Sequence, residues 1–159
     1  MMLVLTLMLA ACSAVPLNLP GAGQNTTPAP QAEVADNQAK WKNAGIQAYR
    51  FKLNIGCFCA FRDRMPLSIE VRDGQVVSMA FSDGTQVPAD DPGREMFDRF
   101  STVERIFAEL RSGASATAQV VRVTYDPTYG FPADLYIDPQ QQAADDEFTV
   151  QVSEFEPLQ

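Results

Sequence analysis

The sequence predicts an α+β fold: two α-βββ units that form one antiparallel sheet, with two helices packed on one of its faces. Strand-like alternation of apolar and polar residues recurs along the chain, and two segments have the apolar spacing of helices. These segments follow the order helix, three strands, helix, three strands. The two halves are loose copies, since Pro66 and Pro132 each open the middle strand of a trio.

The first half begins with a short helical pattern around Trp41. Gly45 is expected at the left-handed C′ position that ends this helix, with Ile46 as its hydrophobic partner. Residues 49–55 then alternate strictly, which predicts a half-buried strand whose inner face carries Tyr49, Phe51, Leu53 and Ile55.

A hairpin is predicted around Asp73-Gly74. A two-residue loop would pair Ile69 with Ser78, whereas a three-residue loop with Gly74 in the left-handed region would pair Ile69 with Val77. The second register places all the large apolar residues on one face, so we expect it. That face comprises Leu67, Ile69, Val77, Met79 and Phe81.

The second half follows a loop at residues 83–94. Ser101 and Glu104 are expected to form a capping box, with Ser101 as the N-cap. The helix after it has an apolar stripe and ends at Gly113; the stripe is formed by Val103, Ile106, Phe107 and Leu110. Three strands are then predicted at residues 119–125, 133–137 and 148–152.

The N-terminus resembles a bacterial lipoprotein signal. An uncharged apolar run ends in Leu9-Ala10-Ala11-Cys12, a pattern typical of a lipobox. The run is shorter than the about 20 apolar residues that span a bilayer. We therefore expect a signal peptide at residues 1–11 and lipidation of Cys12.

Residues 12–32 are expected to form a lipid-anchored, Pro-rich flexible tether, and residues 33–156 a single domain. The anchor would place the protein at the cell membrane or the outer membrane, with its domain facing the periplasm or the cell exterior. We expect a monomer.

Composition excludes several function classes. The formal net charge is −8, which argues against nucleic acid as a partner. The chain has no histidine, so Ser-His-Asp and Cys-His catalysis and His-ligated zinc are excluded. We expect no cofactor and assign no catalytic residue.

Cys57 and Cys59 are the one reactive constellation. In an extended strand their Cα atoms would lie about 6.5–7 Å apart, so a disulfide needs a local kink, which Gly56 is able to supply. A structural disulfide, free or partner-seeking thiols, a redox pair and a soft-metal site all remain open at this point. Met65 is the nearest additional ligand for copper.

Other candidate residues lie in the second half. Trp41, Tyr125, Asp126 and Tyr129 form a possible ligand face, although packing of Trp41 under the sheet is the favoured interpretation. Asp126 and Asp134 would serve acid-base chemistry only if they meet. The acidic stretch 145–147, with Asp138, is a calcium candidate, but a solvated turn is favoured.

Several of these motifs together resemble a family of exported bacterial proteins, domain of unknown function number 6174. In the first half they are Trp41, Gly45-Ile46, Tyr49, Cys57-Phe58-Cys59 and residues 71–77. In the second half they are Thr102-Val103, residues 123–127, residues 130–132, Ile137-Asp138 and residues 145–148. The resemblance implies an exported, often lipid-anchored α+β domain and no particular reaction.

Two functional hypotheses follow. The first is a non-catalytic, membrane-anchored binding or interaction module that uses the open sheet face or the long loops. The second is a thiol-based redox or copper-handling protein centred on Cys57 and Cys59.

Overall fold

The computed structural model describes residues 31–111 and 113–159. The predicted signal peptide, Cys12 and most of the predicted tether lie outside these residues. The helices are α1 (Gln31–Ala44), α2 (Arg94–Phe100), α3 (Val103–Arg111) and α4 (Gly113–Thr117). The strands are β1 (Ala48–Gly56), β2 (Leu67–Arg72), β3 (Gln75–Ala80), β4 (Val120–Tyr125), β5 (Pro132–Asp138) and β6 (Phe148–Pro157).

The predicted α+β class is confirmed. The six strands form one antiparallel sheet in the order β3-β2-β1-β6-β5-β4, so the first and last strands are neighbours at its centre. No helix in the described ranges is long and apolar enough to cross a membrane.

One core lies between the helices and one face of the sheet. The predicted alternation of β1 is confirmed, since Tyr49, Phe51, Leu53 and Ile55 are all buried. They share a single apolar cluster with side chains from α1, α2 and α3. The polar residues that alternate with them therefore lie on the opposite face of the sheet.

The predicted end of α1 agrees with the structure. Gly45 has φ of 64°, and its N–H donates to the carbonyl oxygen of Lys42 at 3.2 Å. Ile46 is partly buried against the core, as its role as hydrophobic partner requires.

The predicted hairpin register is wrong. Asp73 and Gly74 both have positive φ and form a two-residue loop, so that Arg72 pairs with Gln75. A bulge next to Glu70 then shifts the register, and Ile69 pairs with Met79. The bulge keeps Met79 in the core and leaves Val77 54% exposed, because one extra residue reverses the side-chain alternation.

The predicted capping box is also wrong. Thr102 is the N-cap of α3, since its Oγ1 accepts the N–H of Arg105 at 3.2 Å. Ser101 instead ends α2, and its hydroxyl donates to the carbonyl oxygen of Asp98 at 3.0 Å. Glu104 does not close a box, because its carboxylate accepts the Trp41 indole N–H and the Tyr49 hydroxyl.

Helix α2 begins at the last residue of the predicted loop and covers residues 95–100, for which no element was predicted. It buries Phe97 and Phe100 completely. Arg99 attaches it to α3 through two hydrogen bonds to the buried carboxylate of Glu109, at 2.6 and 2.8 Å. These contacts complete the helical layer that covers the inner face of the sheet.

Candidate binding groove on the open sheet face

The face of the sheet opposite the helices is lined by polar side chains, and we call it the open face. Its members come from all six strands and alternate with the buried residues. They are Arg50, Lys52, Asn54, Ser68, Glu70, Arg72, Ser78, Arg122, Thr124, Asp134, Tyr136, Thr149, Gln151, Ser153 and Glu156.

A depression of about 380 Å³ lies on this face across β4, β5, β6 and β1, and we call it the sheet groove. Two rows of cross-strand neighbours underlie it. The first row is Arg122, Tyr136, Thr149 and Gly56, and the second is Thr124, Asp134, Gln151 and Asn54. Gly56 leaves room for Thr149, whose Oγ1 would lie 2.5 Å from a Cβ at that glycine.

Tyr136 is the aromatic centre of the sheet groove. The guanidinium carbon of Arg122 lies 4.3 Å from its ring centroid, a cation–π contact. Its hydroxyl donates to Asp138 Oδ2 at 3.4 Å. Burial raises the pKa of Tyr136, and the carboxylates of Asp138 and Glu147 raise it further. The phenol therefore stays protonated at neutral pH and acts as a donor rather than a base.

In the other half of the open face both arginines are paired with glutamates. Arg50 pairs with Glu156 at 2.6 Å, and Arg72 pairs with Glu70 at 2.8 Å. Lys52 donates to the Ser68 hydroxyl at 2.7 Å. A second depression of about 390 Å³ lies among these groups.

Cys57 and Cys59 lie at disulfide distance at the end of β1. Their sulfur atoms are 1.98 Å apart and their Cα atoms 5.2 Å apart, so the chain has the kink that the sequence required. Both residues are partly exposed, and Phe58 between them is 78% exposed.

Residues 57–59, which we call the cysteine turn, border the sheet groove. A depression of about 430 Å³ is lined by Cys57 and Phe58 and shares Tyr136 and Thr149 with the sheet groove. Sequence reasoning had treated the cysteines and the open face as separate hypotheses, and the fold places them side by side.

The residues predicted as candidate metal ligands do not form a recognisable metal site among the residues that the structure describes. In the described part of the chain, no three His, Cys, Asp or Glu side chains are grouped as a metal site. Met65 packs against the hydrophobic core. Asp138 and Asp146 each have one buried carboxylate oxygen without a partner among the described residues.

The residues of the predicted ligand face lie in two places, the hydrophobic core and the turn after β4. Trp41 is 4% exposed, as expected for packing under the sheet, and both it and Tyr129 contact the ring of Phe155. Tyr125 stacks on Phe107, and burial raises its pKa to about 12. None of these residues lines the sheet groove.

Asp126 and Asp134 have separate partners. Asp126 accepts the backbone N–H groups of Thr128 and Tyr129 and so holds a turn. Asp134 accepts the side-chain amide of Gln151 at 3.1 Å, on the open face. Each carboxylate therefore has a local structural role.

Residues 33–157 match a family described as "Family of unknown function (DUF6174)". The chain belongs to this family. The match covers every strand and all but the first two residues of α1, so DUF6174 includes the whole open face. No curated protein and no solved structure matches the chain.

The sheet groove of this DUF6174 domain was not predicted as a site. Arg122 and Tyr136 are polar positions of two predicted strands, and that alternation was the available signal. Their meeting depends on the register of β4 with β5, which local pattern does not determine.

Proposed function

We propose that the protein is a non-catalytic, membrane-anchored binding module of the cell envelope, and that the open face is its binding surface. The observation that supports this is the asymmetry of the sheet. One face is covered by helices, while the other keeps uncovered polar side chains around the sheet groove. Binding sites are typically concave surfaces with a few convergent polar groups.

A non-catalytic role fits the chemistry of the groove. The chain has no histidine, and the raised pKa of Tyr136 removes the phenol as a base near neutral pH. Asp134 is engaged by Gln151. The groups present are suited to holding a ligand by hydrogen bonds and charge.

Photo-crosslinking in cells tests the binding surface. A photoreactive amino acid at Thr124, which lines the sheet groove, is expected to give a discrete adduct with an envelope component. The matched control is the same amino acid at Asn43, an exposed position on α1. Adducts at Asn43 alone, or at neither position, would contradict the proposal.

Anchoring through Cys12 is a separate part of the proposal. Replacement Cys12→Ala removes the thiol that would carry the lipid, so the protein is expected to move from the detergent phase to the aqueous phase on partitioning. A Cys12→Ala protein that still partitions with detergent would show that another feature attaches it to the membrane.

A thiol redox or copper-handling role is the second candidate. It is favoured by one observation: Cys57 and Cys59 are both partly exposed, and Cys57 lines a depression next to the sheet groove. Thiol counting and copper analysis of the purified, non-reduced protein distinguish the two functions. Two free thiols or stoichiometric copper would favour the second candidate, whereas a stable disulfide without metal favours the first.

We also infer that the domain consists of two α-βββ units. In both halves the second strand of the trio, β2 or β5, lies between the other two, although the innermost strand is the first of its trio, β1, in one half and the last, β6, in the other. Pro66 directly precedes β2, and Pro132 is the first residue of β5. Helices α2 and α4 would be additions to the basic unit.

A further inference from the structure

The cations of the open face differ in whether they have partners. Arg50 and Arg72 are each paired with a glutamate, and Lys52 donates to Ser68. The guanidinium of Arg122 lies over the Tyr136 ring and has no hydrogen bond or ion pair among the described residues. Arg122 is exposed, so its N–H donors are available to a ligand.

Arg122 has this freedom although an acidic residue is close in the sheet. Thr124 pairs with Asp134, so Asp134 is the diagonal neighbour of Arg122 on the same face. The Asp134 carboxylate instead accepts from Gln151 at 3.1 Å. Asp134 therefore has a neutral amide as its hydrogen-bond partner and forms no ion pair with Arg122.

The neutral side chains around Arg122 are also uncommitted. Asn54, Thr124 and Thr149 line the sheet groove, and their side chains have no hydrogen-bond partner among the described residues. Together with the guanidinium they surround a concave space of about 380 Å³. This arrangement offers one charged donor, Arg122, and several neutral donors and acceptors to a single ligand, with the carboxylate of Asp134 beside them.

We propose that Arg122 binds the carboxylate or phosphate group of a small, hydroxyl-bearing ligand in the sheet groove. A guanidinium stacked on an aromatic ring is held in place and presents its edge to two oxygens of a carboxylate or phosphate through two parallel hydrogen bonds. Asn54, Thr124 and Thr149 would take the hydroxyl groups. This inference rests on the proposed binding function and names its ligand class.

The net charge of −8 opposes an anionic ligand at long range. Screening limits that repulsion to about 8 Å at physiological ionic strength, so the local groups determine the outcome. Among the groove residues that the structure describes, Arg122 is the only cation and Asp134 the only anion, and of these two only Arg122 is able to pair with an anionic ligand.

Amide-shift titration of the full chain tests the proposal with three probes: glucuronate, glycerol 3-phosphate and glucose. We expect at least one anionic probe to bind saturably in the millimolar range and to shift the amides of Tyr136, Thr149 and Gln151. Glucose, which has hydroxyl groups but no charge, should bind more weakly. The better anionic probe identifies the preferred group as carboxylate or phosphate.

Two matched variants test whether the charge of Arg122 is responsible for binding. Arg122→Gln should weaken binding by roughly 10-fold or more, because charge-assisted hydrogen bonds are the strong ones. Arg50→Gln, on the same face but paired with Glu156, should change it little. Unshifted groove amides, equal binding of glucose, or equal losses in both variants would overturn the inference. If crosslinks at Thr124 persist while these probes fail, the binding function stands and only this ligand class is wrong.

Discussion

Replacing Trp41 by alanine is expected to lower the free energy of unfolding by about 3–5 kcal/mol, the usual cost of removing a buried large aromatic ring. The ring is 4% exposed and makes edge contacts with Tyr49, Phe131 and Phe155. Its N–H donates to Glu104 at 2.8 Å and so links α1 to α3. Chemical unfolding followed by far-ultraviolet circular dichroism measures the loss, because Trp41 is the sole tryptophan fluorophore.

Trp41→Phe is the matched control. It keeps an aromatic ring and removes the indole N–H, so it should cost about 1–2 kcal/mol. A Trp41→Ala protein as stable as the wild type would mean that the ring is not part of the core. Its assignment to a ligand face would then regain support.

Replacing Gly130 by alanine is expected to cost about 3 kcal/mol, through two additive effects. Gly130 has φ of 80°, a conformation that costs L-residues roughly 1–2 kcal/mol. An added Cβ would also lie 2.8 Å from the carbonyl oxygen of Asn37 and 3.0 Å from Lys40 Cβ, both on α1. The loop after β4 would have to move away from the helix.

Gly45→Ala separates the two effects. Gly45 has φ of 64°, but nothing lies within 4 Å of the Cβ position. Its replacement should therefore cost only the conformational part, about 1 kcal/mol. Equal losses at Gly45 and Gly130 in the same unfolding measurement would show that the loop does not pack closely on α1.

Local pattern was sufficient for most of the fold. Strict alternation located β1, and the glycine at position 45 located the end of α1, because both signals depend only on neighbours in sequence. The hairpin failed for a definite reason: Asp73-Gly74 favours a two-residue loop, while the apolar face requires Ile69 opposite Met79. The bulge after Val76 satisfies both requirements, and the sequence argument considered only regular registers.

The predicted capping box is wrong because the carboxylate of Glu104 forms tertiary hydrogen bonds instead. Glu104 has the right spacing from Ser101, but Trp41 and Tyr49 bind its carboxylate from other elements. Helix α2 was missed because it is short and follows residues typical of a loop. Its signal was the burial-prone pair Phe97 and Phe100, three residues apart.

The candidate groove was predictable only as a surface. Alternation placed Arg122 and Tyr136 at polar strand positions. An open sheet face was expected because both predicted helices were placed on the other face. Which polar residues meet depends on the long-range pairing of β1 with β6 and of β5 with β6. That pairing also places the cysteine turn at the groove, which no local signal indicated.

Hydroxyl-radical footprinting in intact cells tests the central claim most directly, since it reports which face of the domain is covered where the protein works. Labelling of Tyr136, on the open face, is compared with labelling of Met96 on α2, in cells and in the purified protein. The account predicts that Tyr136 is protected in cells while Met96 is labelled equally in both settings. Equal labelling of Tyr136 in both settings, or protection confined to Met96, would contradict it.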